Sequence, residues 1–218
     1  MPVLANLFRD FRRTSSDLPG LFSGHFCVMF LPLAPLLGDE ATLPGYYSDQ
    51  TYFCRLRETY TDPLAPYRCK KQLKAGRCVI LELDGLGSFV FTNHYHSALF
   101  QNLQRRFPGV TSYVFCSDGP GGYFKILKDG RIQRKVASYM FFEGMGSYAE
   151  TRGAPCAYEL ETGHIFKVDP KARHLREMMP DFTKREVLDL FDFYVGLDRF
   201  QSEALRRTLV YDLESPNT

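Results

Sequence analysis

The fold turns on SDGPGGYFKILKDGRIQRKV, Ser117–Val136. Its glycines and lysines permit two readings. One is a backbone loop that cradles a phosphate; the other is a pair of turns in an antiparallel sheet. A phosphate loop of the Walker type needs G-x-x-x-x-G-K-[ST] between a strand and a helix. Here Gly119, Gly121 and Gly122 run into the strand-like YFKILK, and no Lys-Ser/Thr follows. The helix N-terminus that would attract an anion is absent from the pattern. Asp129-Gly130 then separates two alternating runs. That dipeptide is a strong hairpin signal, because a type I′ turn needs positive φ at both central residues. The stretch therefore reads as the centre of an antiparallel meander, with Phe124 and Ile126 facing inward.

The pattern extends on both sides. SGHFCVMFLPL reads as a strand ending at Pro32. RCVILELDG and GSFVFTN read as a hairpin over 77–92, broken at Asp84-Gly85. The segment DQTYFCRLRETY suits either a helix or a strand. Asn93 is placed to cap a helix over about 95–106, with Leu99, Phe100, Leu103 and Phe107 as its buried stripe. Met1–Arg13 reads as a short amphipathic helix. Near the other end, Thr183-x-x-Glu186 is a capping box before VLDLFDFYVGL, with Gly196 as a C-cap. DRFQSEALRRTLVYDL reads as a last helix. Strands in the middle and helices at the ends predict an α+β fold: a central antiparallel β-meander packed by helices, with a helical C-terminus. The 218 residues suit a single domain over 1–218, with a possible N-terminal subdomain over 1–75.

The chain is 44% hydrophobic and 24% charged, enough for a core and ordinary for a globular protein. No signal-peptide pattern opens it. Its most apolar stretch, Phe26–Leu37, carries Pro32 and Pro35 and is too short to span a bilayer. A cytoplasmic protein without a membrane partner is expected. The six cysteines form no C-x-x-C and sit among apolar neighbours, so reduced core thiols are expected. Residues 1–139 hold 17 Lys/Arg against 11 Asp/Glu, whereas residues 140–218 hold 10 against 14. The densest basic run spans Arg55 to Arg77. It reads as a solvated face or a surface for an anionic partner, and nucleic acid is disfavoured because no nucleic-acid module accompanies it.

Candidate chemistry is sparse. His94 and His96 are the metal candidates, but two histidines need further ligands. Cys116 precedes a glycine-rich loop and could serve as a nucleophile if a base stood beside it. No complete constellation forms, so neither a cofactor nor a metal is expected. A small hydrolase or metal-dependent enzyme using His94/His96 or Cys116 is the alternative reading.

Residues 117–197 carry an ordering of motifs. GGYFKILKDGRIQRKVASY contains a D-G-x-x-x-R hairpin. ETRGAPCAYELE contains G-x-P-x-x-x-E, formed by Gly153, Pro155 and Glu159. EVLDLFDFYVGLD is a helix ending in Gly-Leu-Asp. The run resembles the small α+β immunity proteins with which bacteria neutralise toxins and secreted effectors. That resemblance implies a non-enzymatic cytosolic protein whose partner is a cognate toxin. The three motif residues of the loop look structural. If the toxin has a basic cleft, the acidic set Asp181, Glu186, Asp189, Asp192 and Asp198 is the surface expected to meet it. The pattern leaves the oligomeric state open.

Overall fold

The structure is a computed structural model and describes residues 25–33, 38, 40–44, 51–65, 76–93, 98–118, 121–140, 147–169, 171, 184–200 and 204–214. The expected helix at Met1–Arg13, the capping residue Thr183, the basic residues 68–74, and Gly119, His94, His96 and Asp181 lie outside them.

Among the described residues, ten strands form one antiparallel sheet: β1 (His25–Leu31), β2 (Glu40–Pro44), β3 (Thr51–Tyr60), β4 (Arg77–Leu83), β5 (Gly87–Asn93), β6 (Thr111–Asp118), β7 (Gly121–Lys128), β8 (Arg131–Met140), β9 (Ser147–Arg152) and β10 (Leu205–Glu214). Their spatial order is β2-β3-β10-β4-β5-β1-β6-β7-β8-β9. Among the described residues, three short helices accompany them: α1 (Ala98–Arg105), α2 (Ala157–Thr162) and α3 (Lys184–Val195). A 3-10 turn covers Leu197–Arg199.

This corrects the α+β expectation. The protein is predominantly a β-sheet, and its C-terminal segment is a strand. The residues expected as a last helix include β10, which is hydrogen-bonded between β3 and β4. Its core TLVY is β-branched and aromatic, and such residues fit a pleated surface flanked on both sides. Leu209, Tyr211 and Leu213 then fall on one face and Val210 on the other. The ambiguous segment at 51–60 is strand β3.

Both faces of the sheet are buried. One carries Phe30, Phe89, Phe91, Phe115, Phe124 and Val136 beneath Val187, Leu190 and Phe191 of α3. The other carries Met29, Ile80, Val90, Val114 and Tyr123 with Leu99, Phe100 and Leu103 of α1. Burial on two sides explains why β4 reads as a continuous apolar run rather than an alternation.

The opening stretch behaves as a meander. β6, β7 and β8 pair in sequence, and Lys128 is directly opposite Arg131. Asp129 and Gly130 have φ of 52° and 67°, the left-handed pair that a two-residue turn needs. The turn is also a docking point: the Gly130 N–H donates to the Gln104 side chain, and the Asp129 carboxylate accepts the Gly109 N–H at 2.7 Å. Gly122 serves a different need. It lies inside β7, where a β-carbon would collide with the Cys116 carbonyl oxygen.

The cysteines divide into two kinds. Cys54, Cys78 and Cys156 are buried thiols. Cys27 and Cys116 are opposed across β1 and β6 and form a disulfide, which corrects the expectation that they are reduced. Their register supplies the reason, since directly opposed residues bring their β-carbons within bridging distance. The basic run is partly neutralised by β10: Asp212 accepts from Arg57 at 3.0 Å and from Arg77 at 3.3 Å.

Candidate functional site: an aromatic and acidic surface on two helices

The site begins with a buried ion pair that fixes α2. Arg134, on β8, reaches Glu159, on α2, with Nε to Oε2 at 2.8 Å and Nη2 to Oε1 at 2.5 Å. The guanidinium also donates to the carbonyls of Gly153 (2.9 Å) and Phe166 (3.0 Å). The carboxylate accepts the backbone N–H of Cys156 (2.9 Å) and Phe166 (3.0 Å). Burial alone would raise the Glu159 carboxyl, but the hydrogen bonds from Arg134 and Cys156 outweigh it and hold it below the ordinary range. Both ends of the pair are therefore satisfied, the condition under which a buried pair is tolerated.

This network joins the two motifs that carry the family resemblance. Arg134 is the arginine of D-G-x-x-x-R, and Glu159 is the glutamate of G-x-P-x-x-x-E. Gly153 has φ of 84°, and a β-carbon there would strike the Gln133 carbonyl oxygen. Only glycine lets this loop approach β8 so closely.

Helix α3 is fixed from the other side. Tyr194 stacks on Tyr113 with centroids 4.8 Å apart and on Phe124 at 5.8 Å. Its hydroxyl accepts the Tyr158 N–H at 3.4 Å, tying α3 to α2. Burial raises the Tyr194 phenol, and the neighbouring Cys156 thiol adds to that shift. With Tyr194 turned inward, Phe193 is turned outward. Phe193 is 42% exposed and meets the Tyr158 ring edge-on at 5.4 Å. Burial also raises the Tyr158 phenol, and the negative charges of Asp189 and Glu186 raise it further. On a helix, positions 186, 189 and 193 share one face. Leu160 of α2 is also exposed, at 67%, but two positions from Tyr158 it points away from that ring. The result is an aromatic surface with acidic neighbours. Interface cores favour aromatic anchors in this kind of setting.

The expected acidic set is only partly assembled here. Glu186 and Asp189 share the Phe193 face of α3, and Asp189 lies 3.9 Å from Arg185. Asp192 is committed to the helix end, where its carboxylate accepts the Leu197 N–H at 2.7 Å. Asp198 is exposed on the 3-10 turn. Cys116, the alternative nucleophile, is fully buried and bonded to Cys27, so it offers no free thiolate. Among the described residues, no three His, Cys, Asp or Glu side chains gather in a way that could hold a metal ion. Among those residues, no helix is long and apolar enough to cross a membrane.

Sequence reasoning missed Tyr158, Leu160 and Phe193. A signal for one of them was present. In Phe191-x-Phe193-Tyr194, one helical stripe can bury 191 and 194 but not 193 as well. No protein-family model, curated protein or solved structure matches the chain.

Proposed function

We propose that the chain is a non-enzymatic binding protein of the immunity type, which neutralises a cognate toxin or secreted effector by occupying a basic surface on it. The observation that carries this reading is the Phe193–Tyr158 ring pair, with Glu186 and Asp189 on the same face of α3 as Phe193. A rigid aromatic centre supplies contact area, and adjacent carboxylates select a basic partner and speed encounter. The Arg134–Glu159 network supports the same reading, because it holds α2 in place without offering an accessible reactive group. The expected site of action is the cytosol of the producing cell. Residence there is compatible with the Cys27–Cys116 bond, since both sulfurs are buried and exchange needs an attacking thiolate to reach one of them.

The test is co-expression with the product of a neighbouring toxin-like reading frame. A stoichiometric complex that is lost in the charge-reversed variant Glu186→Lys/Asp189→Lys supports the proposal. Failure of the two proteins to associate sinks it. Stoichiometric zinc in the purified protein would instead favour the enzyme reading through His94 and His96.

A further inference from the structure

Directly opposed residues on adjacent antiparallel strands share a sheet face, and like charges placed there repel. Lys125 on β7 is opposite Lys135 on β8, and Lys135 is opposite Arg152 on β9. Three cations thus form one row across three strands, on the face of Tyr123 and Leu127 and opposite to the α3 side. At a strand spacing of about 4.8 Å, the row extends roughly 10 Å. Glu150, one position along, pairs with Lys135. Lys125 lies over the Tyr123 ring, 4.2 Å from its centroid. Burial, together with the Lys135 charge, lowers its ammonium to about 8, and the Glu150 charge offsets only part of that.

Elsewhere several cations of the sheet meet carboxylates. Asp212 serves Arg57 and Arg77, Glu82 takes Arg207 at 2.7 Å, and Glu159 of α2 takes Arg134. Lys128 opposite Arg131 is a further like-charge pair, but both lie exposed at the turn. A row of three cations, with Glu150 beside it among the described residues, matches a ligand with several negative charges along a line.

We propose that the Lys125–Lys135–Arg152 row is a binding site for a linear polyphosphoryl anion. Lysine acts on phosphate as a point charge, and arginine as a two-pronged donor. A single phosphate reaches too little of the row to use all three cations. The shared chemistry is a phosphate chain, which could belong to an inorganic polyphosphate or to a nucleoside triphosphate.

The full chain is titrated with inorganic tripolyphosphate, a nucleoside triphosphate and orthophosphate, read by calorimetry and by acetylation of Lys125 followed by mass spectrometry. Tripolyphosphate should bind at least ten-fold more tightly than orthophosphate and protect Lys125 from acetylation. Equal affinity for the nucleoside triphosphate assigns the site to the phosphate chain alone, and tighter binding assigns it to the nucleotide. Lys125→Met and the exposed-site variant Arg152→Gln should each weaken binding about ten-fold, while Lys171→Gln should not. Arg152→Gln keeps the test decisive if the Lys125 variant folds poorly. Unprotected Lys125, or an equal loss in Lys171→Gln, overturns the proposal.

Discussion

Arg134 and Glu159 are 25 positions apart in sequence and close on each other as a buried, two-pronged ion pair. Removing one partner strands the other charge in the core, at a cost of about 3–5 kcal/mol. Glu159→Gln and Arg134→Met should each lower the unfolding free energy, measured by denaturant titration, by that amount. The paired replacement Arg134→Met/Glu159→Leu should lose less than the sum of the two. The folded Glu159 carboxyl lies below its ordinary value. Its contribution is therefore present above the ordinary carboxylate pKa and disappears as pH falls through the folded value. The paired replacement should lack that part of the acid sensitivity. A strictly additive double variant would show that the two residues do not act together.

Gly153 and Gly163 both have positive φ, at 84° and 71°, but only Gly153 is hemmed in by backbone. Gly163→Ala should cost about 1 kcal/mol, for conformation alone. Gly153→Ala must also push the loop off β8, and its loss should be at least twice as large by chemical denaturation. Equal losses would mean that the loop can shift without penalty.

Alkylation of the unfolded, unreduced protein should leave Cys27 and Cys116 unlabelled, and digestion should yield their peptides joined. Reduction should cost about 2–5 kcal/mol, as is usual for removal of a native disulfide. Full labelling of both residues without reductant would contradict the pairing.

Phe193 is exposed enough that Phe193→Ala should change stability by less than about 0.5 kcal/mol. In a complex with the cognate partner, the same substitution should cost at least about 2 kcal/mol of binding, the scale of a hot-spot aromatic. Unchanged affinity in that variant would move the interface elsewhere.

Lys125 has a folded pKa lowered to about 8 from its ordinary 10.5. A lowered ammonium means that the unfolded chain holds more protons between those values, so stability gains from this group as pH rises through that window. Lys125→Met should be neutral or stabilising at pH 7, and its advantage over the parent should shrink toward pH 10. The difference between the two proteins isolates this effect from the cysteines and tyrosines that titrate in the same range. An advantage that is flat with pH would show that Lys125 is not repelled in the folded state.

Much of the sheet was legible where local chemistry is unambiguous. Asp129-Gly130 ends its strand because both positions take left-handed angles that few other dipeptides accept, and at Asp84-Gly85 the glycine alone does so, with φ of 66°. Helix α3 was legible from its apolar spacing and from Gly196, whose φ is 65°. β10 was misread because Phe200, Leu205 and Leu209 fit a helical stripe, and only the two flanking strands decide otherwise. The Cys27–Cys116 pairing was hidden for a similar reason, since it depends on a register between strands 89 residues apart. In the proposed binding surface, the acids were visible as charge. Their relation to Tyr158 and Phe193 depends on how α2 and α3 are anchored, which no local pattern contains.

The position of β10 also has a consequence for how the protein is made. Residues 205–214 seat between a strand built from 51–60 and one built from 77–83. On the ribosome those earlier segments emerge first and must wait with their facing edges unpaired. β3 and its neighbour β2 can join the larger part of the sheet only after the later segment arrives. Such long-range closure slows folding and leaves sheet edges exposed in the meantime. Newly made chains stalled before residue 205 should therefore present two open edges to chaperones, while β5, β1, β6, β7 and β8 can already pair.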